Sequence, residues 1–257
     1  MSYMIEMTKK IFQLTTVAVL FSQVVFAQSN RITIQVPKAE DEIRYIWQQL
    51  QDLQFFIDNG YDLVLPEGEL MEELKIKVLA NSLDENDYVR FEEYFKNEIY
   101  QAGDYQKGFQ KIEVQLELIN DIVEELLSMD LDWDFKSFLN YDIILTLYGP
   151  GGSYNPDEGS IVLYSNSKGE FKGYSNPINT IVHEIVHIGI EQPLIQKYQI
   201  SHTMKERIVD SIVSILFSEE LPDYKIQDMG DYRIDPKLKT VEDILELEHI
   251  LKSFPEN

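Results

Sequence analysis

The chain has 257 residues, 44% of them hydrophobic, and a formal net charge of −23. That length and composition allow a sizeable core in one large domain or two small ones, while so negative a charge argues against nucleic acid and anionic membrane surfaces as partners, both being negative themselves. The sequence has no cysteine, which excludes disulfides and restricts any metal site to His, Asp and Glu ligands.

Residues 1–27 stand apart from the rest. A short basic stretch, MTKK, precedes the uncharged run IFQLTTVAVLFSQVVFA, and Val25 and Ala27 fit the small-residue pattern before a cleavage point. This is the pattern of a secretory signal peptide. Gln13, Thr15, Thr16, Ser22 and Gln23 interrupt the run, which argues against a stable membrane span. The expectation is an exported chain, periplasmic or secreted, with no stable membrane association once the signal is removed.

Residues 28–135 read as a mostly helical N-terminal region. In residues 39–59, Ile43, Ile46, Trp47, Leu50, Leu53 and Phe56 recur every three or four positions, a helical stripe. Residues 84–100 form a second such segment, with Asp84 or Asn86 as N-cap. Residues 105–129 form a third, with Ile112, Leu116, Ile119, Ile122, Val123, Leu126 and Leu127 on its apolar side. No catalytic pattern falls in this half.

Residues 136–257 change character. Two β-rich runs, 143–148 and 160–164, flank the turn-rich loop GPGGSYNPDEG, which predicts a hairpin or two neighbouring strands. The loop has neither the spacing nor the lysine of a phosphate-binding loop. A helix follows, capped by Asn176 with Pro177 at its first position and ended by Pro193. A second helix starts near Ser201 or Thr203 and runs to about residue 218, and a last one covers residues 241–254.

The first of these helices contains His183-Glu184-Ile185-Val186-His187. At about 100° per residue, the isoleucines and valines fill one arc and both histidines share the other. Residues four apart stand one above the other, so both imidazoles can reach one ion. This is the HExxH pattern. A catalytic zinc site commonly has three protein ligands and an open fourth position. On the next helix, Glu206 falls within the apolar side and Asp210 lies beside it. A carboxylate facing a core needs a partner, and the two histidines are the obvious one.

HExxH, eighteen residues, then Glu206 with Asp210 four further on: this arrangement resembles the gluzincin metallopeptidases, the group that includes the thermolysin family and the zinc aminopeptidases. The resemblance implies an α+β fold with a zincin-like core over residues 136–257. It implies that His183, His187 and Glu206 bind zinc, that Glu184 is the general base, and that Asp210 hydrogen-bonds a ligand histidine and fixes its tautomer. The strand Ser160, Ile161, Val162, Leu163, Tyr164 resembles the edge strand that pairs with extended peptide substrate. Lys205 stands where thermolysin-like enzymes carry asparagine.

Other readings of these residues stay open at this point. Thr203 and Glu206 also fit a capping box, and Glu191 is a rival third ligand on the histidine stripe. The metzincin pattern fails, because Pro193 stands where its third histidine would be. Tyr198, His202, Tyr224, Tyr232 and Arg233 are candidates for stabilising the developing oxyanion, with Tyr232 preferred for its place after the second helix. The expected function is an exported zinc metallopeptidase acting on a peptide or protein substrate. The alternative is a non-catalytic zinc-binding interaction module on the same scaffold. The helical half could also cover the cleft as an inhibitory segment.

Overall fold

The computed structural model describes residues 31–173, 175–228 and 230–254. The expected signal peptide over residues 1–27 lies outside the described residues. Among the described residues, no helix is long and apolar enough to cross a membrane.

The protein is α+β: a small mixed sheet surrounded by helices. Strand β1 (Ile32–Gln35) is followed by helices α1 (Ala39–Gln51), α2 (Leu53–Asp58), α3 (Glu69–Leu79) and α4 (Glu85–Tyr94). The Asp84 carboxylate caps α4 by accepting from Asp87 N, and Asp87 reciprocates on Asp84 N, so two orphan helix donors are satisfied at once. Helices α5 (Gln106–Glu113) and α6 (Leu116–Ser128) complete the first half. Strands β2 (Tyr141–Thr146), β3 (Gly152–Asn155) and β4 (Ser160–Tyr164) come next, then helices α7 (Pro177–Ile190) and α8 (His202–Leu216). The short helices α9 (Val241–Leu245) and α10 (Leu247–Lys252) close the order.

The strand order is β1-β2-β4-β3. β1 and β2 run parallel, as do β2 and β4, while β3 is antiparallel to β4. Parallel neighbours need a long crossover, and here the six helices α1–α6 form the one between β1 and β2. β1 was not anticipated, because four residues between the first segment and the helical stripes carry little pattern. It joins the helical half to the sheet, and Ile32, Ile112, Ile119 and Ile122 share one core with Ile143, Ile161 and the whole of α7. A second, smaller cluster gathers Ile43, Ile46, Leu50, Met71, Leu74, Phe91 and Phe95. The two clusters are tied by Glu42 of α1, whose buried carboxylate accepts from Tyr105 Oη, Thr146 Oγ1 and Leu147 N at 2.9–3.0 Å.

All fourteen residues of α7 are buried. Gly189 is there for closeness: a Cβ at that position would lie 2.0 Å from the Phe135 ring. The helix packs between the sheet and α8, and that sandwich positions the site.

Two strand expectations need correction. β4, residues 160–164, is not an edge: it is paired on both sides, to β2 and β3. The edge on that side of the sheet is β3, which the chain forms by turning back through Gly149 and Gly151, both at positive φ. Its sequence, GSYN, has no apolar alternation, so it reads as loop until its pairing with β4 is seen.

Candidate metal centre

α7 begins with Asn176, whose side chain accepts from Ile178 N, and with Pro177 at a position where no N–H is required. One turn apart on this helix, His183 and His187 bring their Nε2 atoms to 3.0 Å from each other. α8 is capped by Ser201, which accepts from Met204 N. The Thr203–Glu206 capping box is therefore not used, and the Glu206 carboxylate faces α7. Its Oε2 lies 3.5 Å from His183 Nε2 and 3.3 Å from His187 Nε2. One ligand atom from each of His183, His187 and Glu206 falls within 4.8 Å of the others, and all three residues are buried. This group could hold a metal ion.

His183 is fixed from behind. Its Nδ1 lies 2.7 Å from Tyr224 Oη, and Tyr224 donates to Asp210 Oδ1 at 2.6 Å. The hydroxyl has one proton to give, so Nδ1 is the donor toward it and Nε2 keeps its lone pair for a cation. Asp210 is fully buried, and its second oxygen accepts from Gln227 N at 2.8 Å. The expected partnership between Asp210 and a histidine thus runs through a tyrosine, supported by a direct His183 Nδ1–Asp210 Oδ1 approach of 3.4 Å.

His187 is held differently. Its Nδ1 is buried and has no hydrogen-bond partner. Instead the ring of Tyr154, on edge strand β3, stacks on it. Tyr154 Oη donates to Glu191 Oε2 and accepts from Lys205 Nζ, each at 2.8 Å. These contacts occupy Glu191, which lies outside the ligand group. They also give Lys205 a role that the sequence comparison left open. Tyr154 and Tyr224 sit in segments without periodicity, and neither role carries a local sequence signal.

Glu184 opens onto a cleft of about 370 Å³ that it shares with the three ligands, Gly152, Thr180, His202 and Lys205. A Cβ on Gly152 would lie 2.7 Å from Glu184 Oε1, so the bare backbone of β3 sets the carboxylate's position. Tyr232 does not reach this cleft. It is 56% exposed, donates to Asp228 O, and lies over the Arg207 guanidinium. Arg207 is one residue past Glu206, about 100° around the helix, so a side chain stacked on it faces away from the ligands. Of the five oxyanion donors considered from the sequence, His202 lines the cleft. Its Nδ1 is 3.5 Å from Glu206 Oε1.

Burial and charge shape the protonation of the metal-free cluster. For His183, burial disfavours the charged ring, but hydrogen bonds to Asp210 and Glu206 outweigh it and raise the pKa to about 9. Burial, with the neighbouring His183 charge, drives His187 down to about 4. Burial opposes ionisation of Glu206, yet the two imidazoles hold it well below the usual carboxylate range. Glu184 is pushed up to about 7 by burial, with Glu206 adding to the effect and His183 opposing it.

Comparison of the chain with protein-family models, curated proteins and solved structures gives no match. The chemistry of His183, His187 and Glu206 stands on the geometry of the site itself.

Proposed function

We propose that the protein is an exported zinc-dependent peptidase of gluzincin type, with His183, His187 and Glu206 as metal ligands and Glu184 as general base. The observation that carries this reading is the buried His–His–Glu group with Glu184 on the same cleft. The donor set fits zinc: two imidazole nitrogens, both neutral once the His183 proton is displaced by the metal, and one carboxylate oxygen converge and leave the cleft side free. Zinc bound there would supply Lewis-acid chemistry, polarising a carbonyl and acidifying water.

The chain's own residues do the rest. Glu184 takes a proton from the attacking water onto its carboxylate and returns it to the leaving amine. Asp210, through Tyr224, keeps the His183 tautomer that presents Nε2. β3, paired only with β4 within the described sheet, offers its outer backbone to an extended peptide. His202, which lines the cleft, would stabilise negative charge on the substrate carbonyl oxygen. The pattern of residues 1–27 supports export.

Elemental analysis of the purified protein tests the ligand set: one zinc per chain is expected, with marked loss in Glu206→Ala. A peptide-mixture screen then tests turnover, which Glu184→Gln should abolish while zinc stays bound. A folded protein that neither contains nor takes up zinc would overturn the reading.

A further inference from the structure

β3 is an open edge with a closed end. The bond from Tyr164 N to Gly151 O sets the alternation of its ladder with β4. Gly151, Ser153 and Asn155 therefore face β4, and Gly152 and Tyr154 turn their N–H and C=O outward. Before Gly151 the backbone is already paired. Gly149 and Val64 exchange both backbone hydrogen bonds, at 2.8 and 3.1 Å. Tyr61, in the same segment as Val64, lines the metal cleft and packs against the rings of Phe55 and Phe56. At the opposite end, among the described residues, Tyr154 is the last residue of β3 that lines the cleft.

Lys172 stands at the closed end. Its Cδ lies 4.0 Å from where a Cβ on Gly151 would be. The next residue, Gly152, is the one whose Cβ would meet Glu184 Oε1 at 2.7 Å. Lys172 lines the cleft, and its side chain is 25% exposed. Its ammonium donates to Asp62 O and lies 2.9 Å from Asp62 Oδ2, which ties residues 61–64 to the rim of the cleft. Asp62 is 85% exposed, so this ion pair is solvated and weak. An ammonium has three donors, and Asp62 occupies two of them.

We propose that this end of the cleft receives the free C-terminus of a peptide, with Lys172 pairing its carboxylate, so that the substrate loses one or two C-terminal residues. The assignment rests on the peptidase reading and names the substrate class for it. Antiparallel pairing, the more stable ladder, runs a peptide on β3 with its C-terminus toward Gly152. At about 3.3 Å per residue, roughly two residues of extended chain fit between the level of Glu184 and the Val64–Gly149 bridge. A terminal carboxylate then meets Lys172, where an N-terminal ammonium would meet a like charge. Gly173, beside Lys172, also borders a pocket of about 640 Å³, which has room for the terminal side chain. Water adds across the cleaved bond: the shortened peptide gains a carboxylate, and the released piece takes a proton on its new amine.

The test compares three peptides on the zinc-loaded protein: a free acid, its C-terminal amide, and the same sequence extended by several residues. Mass spectrometry of early products should show one or two residues leaving the end of the free acid and of the extended peptide. For the amide, kcat/KM should be lower by about tenfold or more, the loss of one charged hydrogen bond. Lys172→Met should bring the acid-to-amide ratio close to one. Asp62→Asn, which frees Lys172 but loosens the same wall, should keep the ratio. Internal cleavage of the extended peptide, equal rates for acid and amide, or an unchanged ratio in Lys172→Met overturns the proposal. So does loss of the ratio in Asp62→Asn, which would make Lys172 a tether of the wall only. Binding separates this question from turnover. On zinc-loaded Glu184→Gln, calorimetry should show the acid binding about tenfold or more tighter than the amide, and the Lys172→Met double variant should lose that preference. A protein that cleaves nothing yet shows this Lys172-dependent preference would sink the peptidase reading and leave the carboxylate site standing. Cleavage at internal bonds with no such preference would do the reverse.

Discussion

The ring of Tyr154 lies flat against the imidazole of His187, with centroids 4.8 Å apart and planes 8° from parallel. Metal-binding histidines usually have their second nitrogen hydrogen-bonded, which sets ring orientation. His187 Nδ1 has no such bond, so the stack does the orienting. Three elements converge to hold it: β3 carries Tyr154, Glu191 follows α7, and Lys205 belongs to α8. Tyr154→Leu should weaken zinc affinity by roughly 10- to 100-fold, the range for lost outer ligand support. Tyr154→Phe keeps the ring and should lose less. Chelator competition on folded variants measures both, and equal affinity for parent and Leu variant would refute the orienting role.

Tyr224 transmits Asp210 to His183. Tyr224→Phe removes the hydroxyl that accepts from His183 and donates to Asp210, leaving only the 3.4 Å approach. Zinc affinity should fall by about tenfold or more. Circular dichroism should stay unchanged, since the ring and its packing remain.

Gly152 sets the distance between β3 and Glu184, the proposed general base. An alanine there would place its Cβ 2.7 Å from Glu184 Oε1 and 2.8 Å from Thr180 Cγ2, forcing the carboxylate to move. Displacements of about 1 Å at a reacting group cost on the order of 10²-fold in rate. Gly152→Ala should therefore lose peptidase activity by about that factor while keeping one zinc per chain. Full activity in this variant would mean that Glu184 is not constrained by the strand.

Glu42 predicts a pH dependence of stability unrelated to the metal. Burial raises its pKa, and the hydrogen bonds from Leu147, Thr146 and Tyr105 only partly offset this. The folded state thus holds that proton more tightly than the unfolded one. Its contribution to stability is greatest below the ordinary value of 4.5 and is lost as pH rises through the raised folded value. Glu42→Gln cannot ionise and should flatten this component. Denaturation midpoints for both proteins from acid to neutral pH provide the check. Parallel curves would mean that Glu42 does not titrate in the fold.

The helices were legible because their apolar residues recur at helical spacing and their caps are local. Asn176 with Pro177 and the Asp84 cap of α4 are examples. β1 and β3 were not legible. Each is four residues long and becomes a strand only through partners distant in sequence or across a glycine-rich turn. The same limit explains the misplaced edge strand and Tyr232, whose position depends on how the chain leaves α8.

By itself, the sequence determined that His183 and His187 share one helical face, because a four-residue spacing is a property of the helix alone. It also placed Glu206 and Asp210 together on a second helix. Only the tertiary structure decided which carboxylate faces the imidazoles, that Tyr224 links Asp210 to His183, and that Tyr154 stacks on His187. Those outcomes depend on packing between α7, α8, β3 and the segment after α8, and such contacts between distant residues leave no periodic trace in the chain.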